Sequence, residues 1–491
     1  MAPFEKSIGQ LCVFLINGMP NFNDEEPRMD AKVLRPIMTL IFDCLVIVAS
    51  LGVAGAAVTT TYVNLGGGGT GLLRVPSPLG SGARSHIGIF TTHPSASFLN
   101  SPICTELANR GYVTLCADNP FSFNALGYKG YEDHAPVIKA GINYLRSIPG
   151  ISRIIIVGHS MGGPLMAFYQ NVAQNDAAAC QGVEKLIPCD ATNLSSLPGA
   201  DGLILLDSHL GDAVATMTYV DPAIRNEEHP GQRNAHLDMF DPRNGYDLKT
   251  NSAAYSADFK KRYLKAQAER NEDLIEAALK ELSKIVNGKD HLYPDDMPYN
   301  VAGANAARLW QPDISLLKQS KEPRLLLKAD GTDVMQVISS VRLPSGRADT
   351  AVTFAGSDLL LTVRRFLGAH AVRTTKDYNQ LPDEDYNQLP DDITGIDYAS
   401  SATSTPSNIQ GVTVPLLIVV MGAHYFIRPD EIILSNAASA DKTYAAVEGA
   451  THGFTPCTAC ATALGLPSTY YGNTVKRLFD YVDDWLSAGR F

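Results

Sequence analysis

The sequence carries no excess of positive charge: 40 lysines and arginines stand against 51 aspartates and glutamates, a formal net charge of -11. A chain so biased gains nothing from a phosphate backbone or an anionic membrane surface, which argues against nucleic acid as its main partner and leaves small molecules open. Charge of either sign is sparse at 19%, while hydrophobic residues reach 45%, so global disorder is not expected. A paired zinc-ligand pattern is also lacking. Of the eight cysteines, Cys457 and Cys460 form a single C-x-x-C with no second pair, and nearby His452 has a stronger claim elsewhere, so no metal site is expected. Cys180 with Cys189, and Cys457 with Cys460, are candidate short-loop disulfides if the chain is exported and free thiols if it is not. At 491 residues the chain exceeds what one core usually organises, so a main domain with a large insertion, or two domains, is expected.

Residues 1–65 read as an N-terminal leader built around a hydrophobic segment at about 37–58. Small and apolar residues there are broken only by Asp43 and preceded by Arg28, Lys32 and Arg35. A cleaved export signal, an uncleaved anchor and a buried helix all fit it. The first two predict a secreted or membrane-anchored protein whose main domain lies outside the cytosol. The sequon Asn193-Leu194-Ser195 is compatible with export but too common to decide it.

After Gly66–Gly69, a linker by composition, short apolar runs alternate with helix-like segments. The pattern predicts strands at 86–90, 112–117, 154–157 and 202–206, with helices at 99–110 and 131–145. Strands apolar on both faces belong to a mostly parallel sheet covered by helices on both sides, a doubly wound α/β fold. The alternation stops after Leu206 and resumes only with a strand at 414–420, followed by another at 443–447. The main domain is therefore assigned to 66–209 and 412–491, and a mixed α+β cap to 210–411, inserted between the sixth and seventh strands. Within the cap, a long amphipathic helix is predicted from Ser256, its N-cap, to Val286, with Phe259, Tyr263, Leu274, Leu282 and Ile285 at helical spacing. Strands are predicted there at 324–328 and 337–341. A near duplication, Asp377–Asp383 returning as Asp385–Asp391, reads as a lengthened surface loop.

The chemistry-bearing signal is Ile154-Ile155-Ile156-Val157-Gly158-His159-Ser160-Met161-Gly162-Gly163, a buried strand entering G-x-S-x-G and then a helix. Such a turn lifts a serine onto a strained strand-to-helix corner, where the glycines let the backbone fold tightly. A serine there needs a base. His452, in Gly449-Ala450-Thr451-His452-Gly453 after the last strand, is placed late in the chain where an imidazole would reach over the sheet edge.

On these two motifs, with Thr92-His93-Pro94 after an early strand, the chain resembles the α/β-hydrolase superfamily in its esterase and lipase branch, over about Gly71–Leu206 and Val412–Trp485. The resemblance implies a Ser160–His452 pair completed by an acid, and an oxyanion hole from the backbone N–H groups of Met161 and Ser95. Pro94 stands where relatives carry glycine, which leaves Ala96 as the alternative donor. The acid departs from the common pattern. After the penultimate strand the chain reads Met421-Gly422-Ala423-His424-Tyr425-Phe426, with no carboxylate, so Asp207 at the end of the 202–206 strand is the first candidate, Glu431 the alternative, and Asp430 behind it. His93, His159, His424, Tyr425 and Phe426 are candidates for contacting substrate.

The resemblance implies hydrolysis of a carboxylic ester, a lactone or a thioester through an acyl-enzyme on Ser160, with no cofactor and a small-molecule ester as partner. Membrane association would come from the N-terminal segment alone. Acyl transfer on the same residues is the alternative, and a binding protein that keeps the fold without catalysis is a second, favoured if no carboxylate reaches His452.

Overall fold

The computed structural model describes residues 57–120, 130–289, 292–304, 308–345, 358–375, 377–378 and 393–491. Most of the 37–58 segment and most of the duplicated loop lie outside them. Ten strands form one sheet: β1 (Ala57–Asn64), β2 (Thr70–Ser77), β3 (Ile87–Thr91), β4 (Val113–Asp118), β5 (Arg153–His159), β6 (Gly202–Leu206), β7 (Arg324–Leu327), β8 (Asp333–Gln336), β9 (Leu416–Met421) and β10 (Lys442–Val447). Their spatial order is β1-β2-β4-β3-β5-β6-β9-β10-β7-β8. From β4 through β7 every neighbouring pair is parallel, while β2 joins β4 and β8 joins β7 antiparallel.

Strict alternation along the central strands divides the core. In β5, Ile154 and Ile156 enter one apolar cluster and Ile155 and Val157 the other; β6 and β9 divide the same way. Helices α2 (Tyr131–Ser147), α3 (Gly162–Asn175) and α6 (Ile427–Asn436) cover the first face, and α1 (Pro102–Asn109) and α7 (Thr474–Ser487) the second. Burial on both faces is why these strands lack polar positions. Helix α1 begins three residues later than predicted because Ser101 caps it, accepting from Ile103 N, with Pro102 at its first position.

Three domain-level expectations need correction. Residues 57–64, assigned to the leader, are an edge strand of the sheet. Gly66–Gly69 is a turn between β1 and β2 rather than a linker, with Gly67 and Gly68 at φ 71° and 79°. The segment 210–411 is not wholly a cap either. Leu325–Leu327 pair in parallel with Ala445–Val447 of the main sheet, and the following strand lies at Asp333–Gln336 rather than 337–341. The strand at Leu416 is thus the ninth, not the seventh, of the main sheet in chain order.

The remainder of the insertion contains both helix and strand. It holds α4 (Asp212–Tyr219), α5 (Ala257–Val286) and three two-stranded pairs. Ser256 caps α5 by accepting from Phe259 N, and Gly288 lies just past its end with φ 62°. Phe259 and Tyr263 of α5 pack into the main core, whereas Leu274 and Ile285 join Val301, Leu361 and Phe366 in a separate cluster. Among the described residues no helix is long and apolar enough to cross a membrane.

Candidate active site

Ser160 follows the last residue of β5 and holds φ 55°, a left-handed conformation that a non-glycine residue adopts only where its surroundings impose it. Its N–H donates to Leu206 O at 3.2 Å, tying the corner to the end of β6. The neighbouring glycines are required by close approach: a Cβ on Gly158 would lie 2.4 Å from Gly162 O, and one on Gly163 would lie 1.9 Å from Ser208 Oγ. Met161 leads directly into α3, so Ser160 stands at the positive end of that helix's dipole.

Asp207 ends β6 with φ 44° and no exposed surface. One carboxylate oxygen, Oδ1, accepts from Met421 N at 3.0 Å; the other, Oδ2, meets His452 Nδ1 at 2.5 Å. His424 Nδ1 lies 2.8 Å from that same Oδ2, and its ring stacks on His452 with centroids 4.5 Å apart. Burial alone would raise the Asp207 carboxyl, but His424 and His452 hold it well below the usual carboxylate range. Burial likewise keeps His424 below its ordinary value despite the carboxylate. Asp207, His424 and His452 also have donor atoms within 4.8 Å of one another, the spacing a metal ion would need. Both imidazole Nδ1 atoms already converge on one oxygen there.

A parallel sheet, an acid at the end of β6, a histidine after β10 and a strained serine between β5 and a helix together decide the architecture. The chain has the α/β-hydrolase fold. No protein-family model matches the sequence, and no curated protein matches it. Among solved structures, brefeldin A esterase, described as a bacterial homologue of human hormone sensitive lipase, is 12% identical with TM-score 0.35 over 98% of this chain and 93% of that one. EstE5 soaked with p-nitrophenyl butyrate is 11% identical with TM-score 0.32, covering 100% and 99%, and Est1E from Butyrivibrio proteoclasticus is 10% identical with TM-score 0.33, covering 87% and 97%. At these scores the likenesses carry no argument; the α/β-hydrolase fold rests on the sheet order and the corner at Ser160.

The other acid candidates sit apart from His452. Glu431 accepts from Arg324 at 2.9 Å, Arg428 at 2.7 Å and the N–H groups of Lys321 and Glu322, so it anchors the approach to β7. Asp430 is fully buried and accepts from Ser208 N at 2.9 Å. Burial, then the neighbouring Asp207 charge, push its carboxyl well above the usual carboxylate range.

Ser160, Met161, His452, His424, Tyr425 and Phe426 line one cavity of about 250 Å3. His93 and His159, expected to contact substrate, do not line it. His93 is 6% exposed and its Nδ1 accepts from Ser95 N at 3.2 Å and Ala96 N at 2.9 Å. Both oxyanion-donor candidates on that loop are therefore turned onto His93. His159 stands behind His452: its Nε2 meets His452 O at 2.9 Å, and burial lowers its pKa to about 3. The insertion adds wall residues that no sequence motif marked, among them Asp212, Thr216, Tyr219 and Arg308. Among the described residues no hydrogen bond joins Ser160 Oγ to His452, and such bonds often tighten only when substrate is present.

Proposed function

We propose that this protein is a serine hydrolase that cleaves a small carboxylic ester through an acyl-enzyme on Ser160. The observation that carries the proposal is the fully buried Asp207 at 2.5 Å from His452 Nδ1, beside a cavity that Ser160 and His452 line together. An ionised carboxylate at Nδ1 keeps the proton there and leaves Nε2 with its lone pair, the tautomer a general base requires. His452 takes the Ser160 proton as Oγ attacks the carbonyl, and Asp207 stabilises the imidazolium that forms. The Met161 N–H at the start of α3 meets the developing oxyanion. His452 then delivers the proton to the leaving alcohol, and water releases the acid by the same steps in reverse. A non-catalytic role is disfavoured because a carboxylate does reach His452.

The cavity, about 250 Å3, falls below the roughly 300–1,000 Å3 of sites for drug-sized ligands, which points to short esters and lactones. Three disulfides, Cys104–Cys116, Cys180–Cys189 and Cys457–Cys460, support a catalytic domain that works outside the cytosol. The first of them was not foreseen from spacing. The test is labelling with a fluorophosphonate. The wild-type chain should label and Ser160→Ala should not, and equal labelling of the two folded proteins would refute the proposal.

A further inference from the structure

Ester hydrolysis by Ser160, His452 and Asp207 leaves a permanent cation in the cavity wall without a task. Arg308, from the insertion, lines the cavity with Ser160. Its guanidinium lies 4.1 Å over the Tyr219 ring, and Nη1 donates to Tyr425 Oη at 3.3 Å. Nε is buried with no acceptor. Among the described residues no carboxylate pairs with Arg308, and the titratable groups it interacts with are Tyr219, Tyr425 and His209. A guanidinium presents five N–H donors and stays charged throughout the working pH range, and Arg308 is half-buried with the Tyr425 hydroxyl as its hydrogen-bond acceptor among the described residues, so a ligand that supplies further acceptors is favoured there.

Two other arginines of this chain, both buried, spend more of their donors on the protein, although Arg342 Nε likewise has no acceptor. Arg342 donates to the carbonyls of Leu316, Leu317 and Trp310. Arg270 meets Glu227 and the carbonyls of Asp221 and Ala302. These two are structural. Arg308 instead faces the space where substrate must lie, and the one carboxylate among the lining residues, Asp212, is placed against Tyr131 and Arg365. The stacking on Tyr219 fixes the plane of the guanidinium while leaving N–H groups for a ligand.

We infer that Arg308 binds a carboxylate of the substrate, so that the ester cleaved at Ser160 is a half-ester of a short dicarboxylic acid or a similar small acidic ester. The inference rests on the proposed role of Ser160. A carboxylate accepts two parallel N–H bonds from a guanidinium, which would both select the substrate and orient its ester carbonyl.

The test compares monoethyl succinate with ethyl pentanoate, similar in length and differing in charge, by pH-stat. The expected kcat/KM favours monoethyl succinate by at least about tenfold at low salt. Arg308→Gln should abolish that preference mainly through KM, changing ethyl pentanoate by less than about threefold, and Arg308→Lys should restore part of it. Equal kcat/KM for the two esters, or a preference that survives Arg308→Gln, overturns the inference. Protection of wild-type Ser160 from fluorophosphonate by glutarate but not by glutaramide gives the same answer without a variant or turnover, and equal protection refutes it. Failure of the Ser160 role is distinguishable, since it appears as absent labelling in the unprotected wild type.

Discussion

Replacing Asp207 with asparagine tests the proposed chemistry with little disturbance of the fold. Asparagine tolerates the φ of 44° found at this position. Its amide has only one allowed orientation: Met421 N–H donates to Oδ1, so the carbonyl must stay there and the NH2 group must take the place of Oδ2. That group then faces His452 Nδ1, which has to become an acceptor, and the imidazole proton moves to Nε2. An Nε2–H imidazole cannot take the serine proton. The variant also loses the carboxylate that faces the imidazolium. Opposite unit charges at about 4 Å attract by about 4 kcal/mol at an effective dielectric of 20, which is about 10³ in rate. With the wrong tautomer added, the expected loss in kcat is about 10³–10⁴. Initial rates on p-nitrophenyl acetate, normalised to folded protein by urea titration, measure it. Turnover within about tenfold of wild type, at an unchanged unfolding midpoint, would refute the assignment of Asp207 as the orienting acid.

Gly158→Ala puts a methyl group 2.4 Å from Gly162 O and 2.5 Å from Gly163 Cα, both backbone, and should cost more than about 3 kcal/mol in urea unfolding. Gly453→Ala, with nothing within 4 Å and no positive φ, should be close to neutral in the same measurement. Glu431→Ala removes the carboxylate that Arg324 and Arg428 share and should destabilise by about 3–5 kcal/mol, while kcat per folded molecule changes by less than about threefold. A collapse of kcat would instead return Glu431 to the site. Burial raises the Asp212 carboxyl to about 7, against about 3.9 in an unfolded chain. The folded state then binds more protons than the unfolded one between these values, so stability falls as pH rises from about 4 to 7, by about 4 kcal/mol in all. Asp212→Asn should flatten that slope in urea midpoints taken across the window, and an unchanged slope would refute the assignment.

What could be read from the chain was whatever local pattern determines. Strands β3 to β6, β9 and β10 carry apolar residues on both faces, and helix α5 carries its own cap and period. The edges of the sheet carry neither signal. In β1 all but two residues are exposed, and β8 is exposed at every position, so no alternation marks them. That β7 joins the main sheet is decided by its parallel pairing with β10, more than a hundred residues later, and nothing local records which sheet a short apolar run will enter.

The same distinction runs through the site. Ser160 and His452 announce themselves because a strained corner and a loop after the last strand need particular neighbours. Arg308 and Asp212 do not, because their significance comes from sharing a cavity with Ser160 across about 150 and about 50 residues of chain. A carboxylate already meets His452 from the end of β6, whereas the loop after β9 carries none and brings His424, Tyr425 and Phe426 into the cavity wall. His424 stacks on His452 and adds a second imidazole to Asp207, while Tyr425 takes the hydrogen bond that holds Arg308. The missing carboxylate after β9 and the cation in the cavity are thus linked through adjacent residues of one loop.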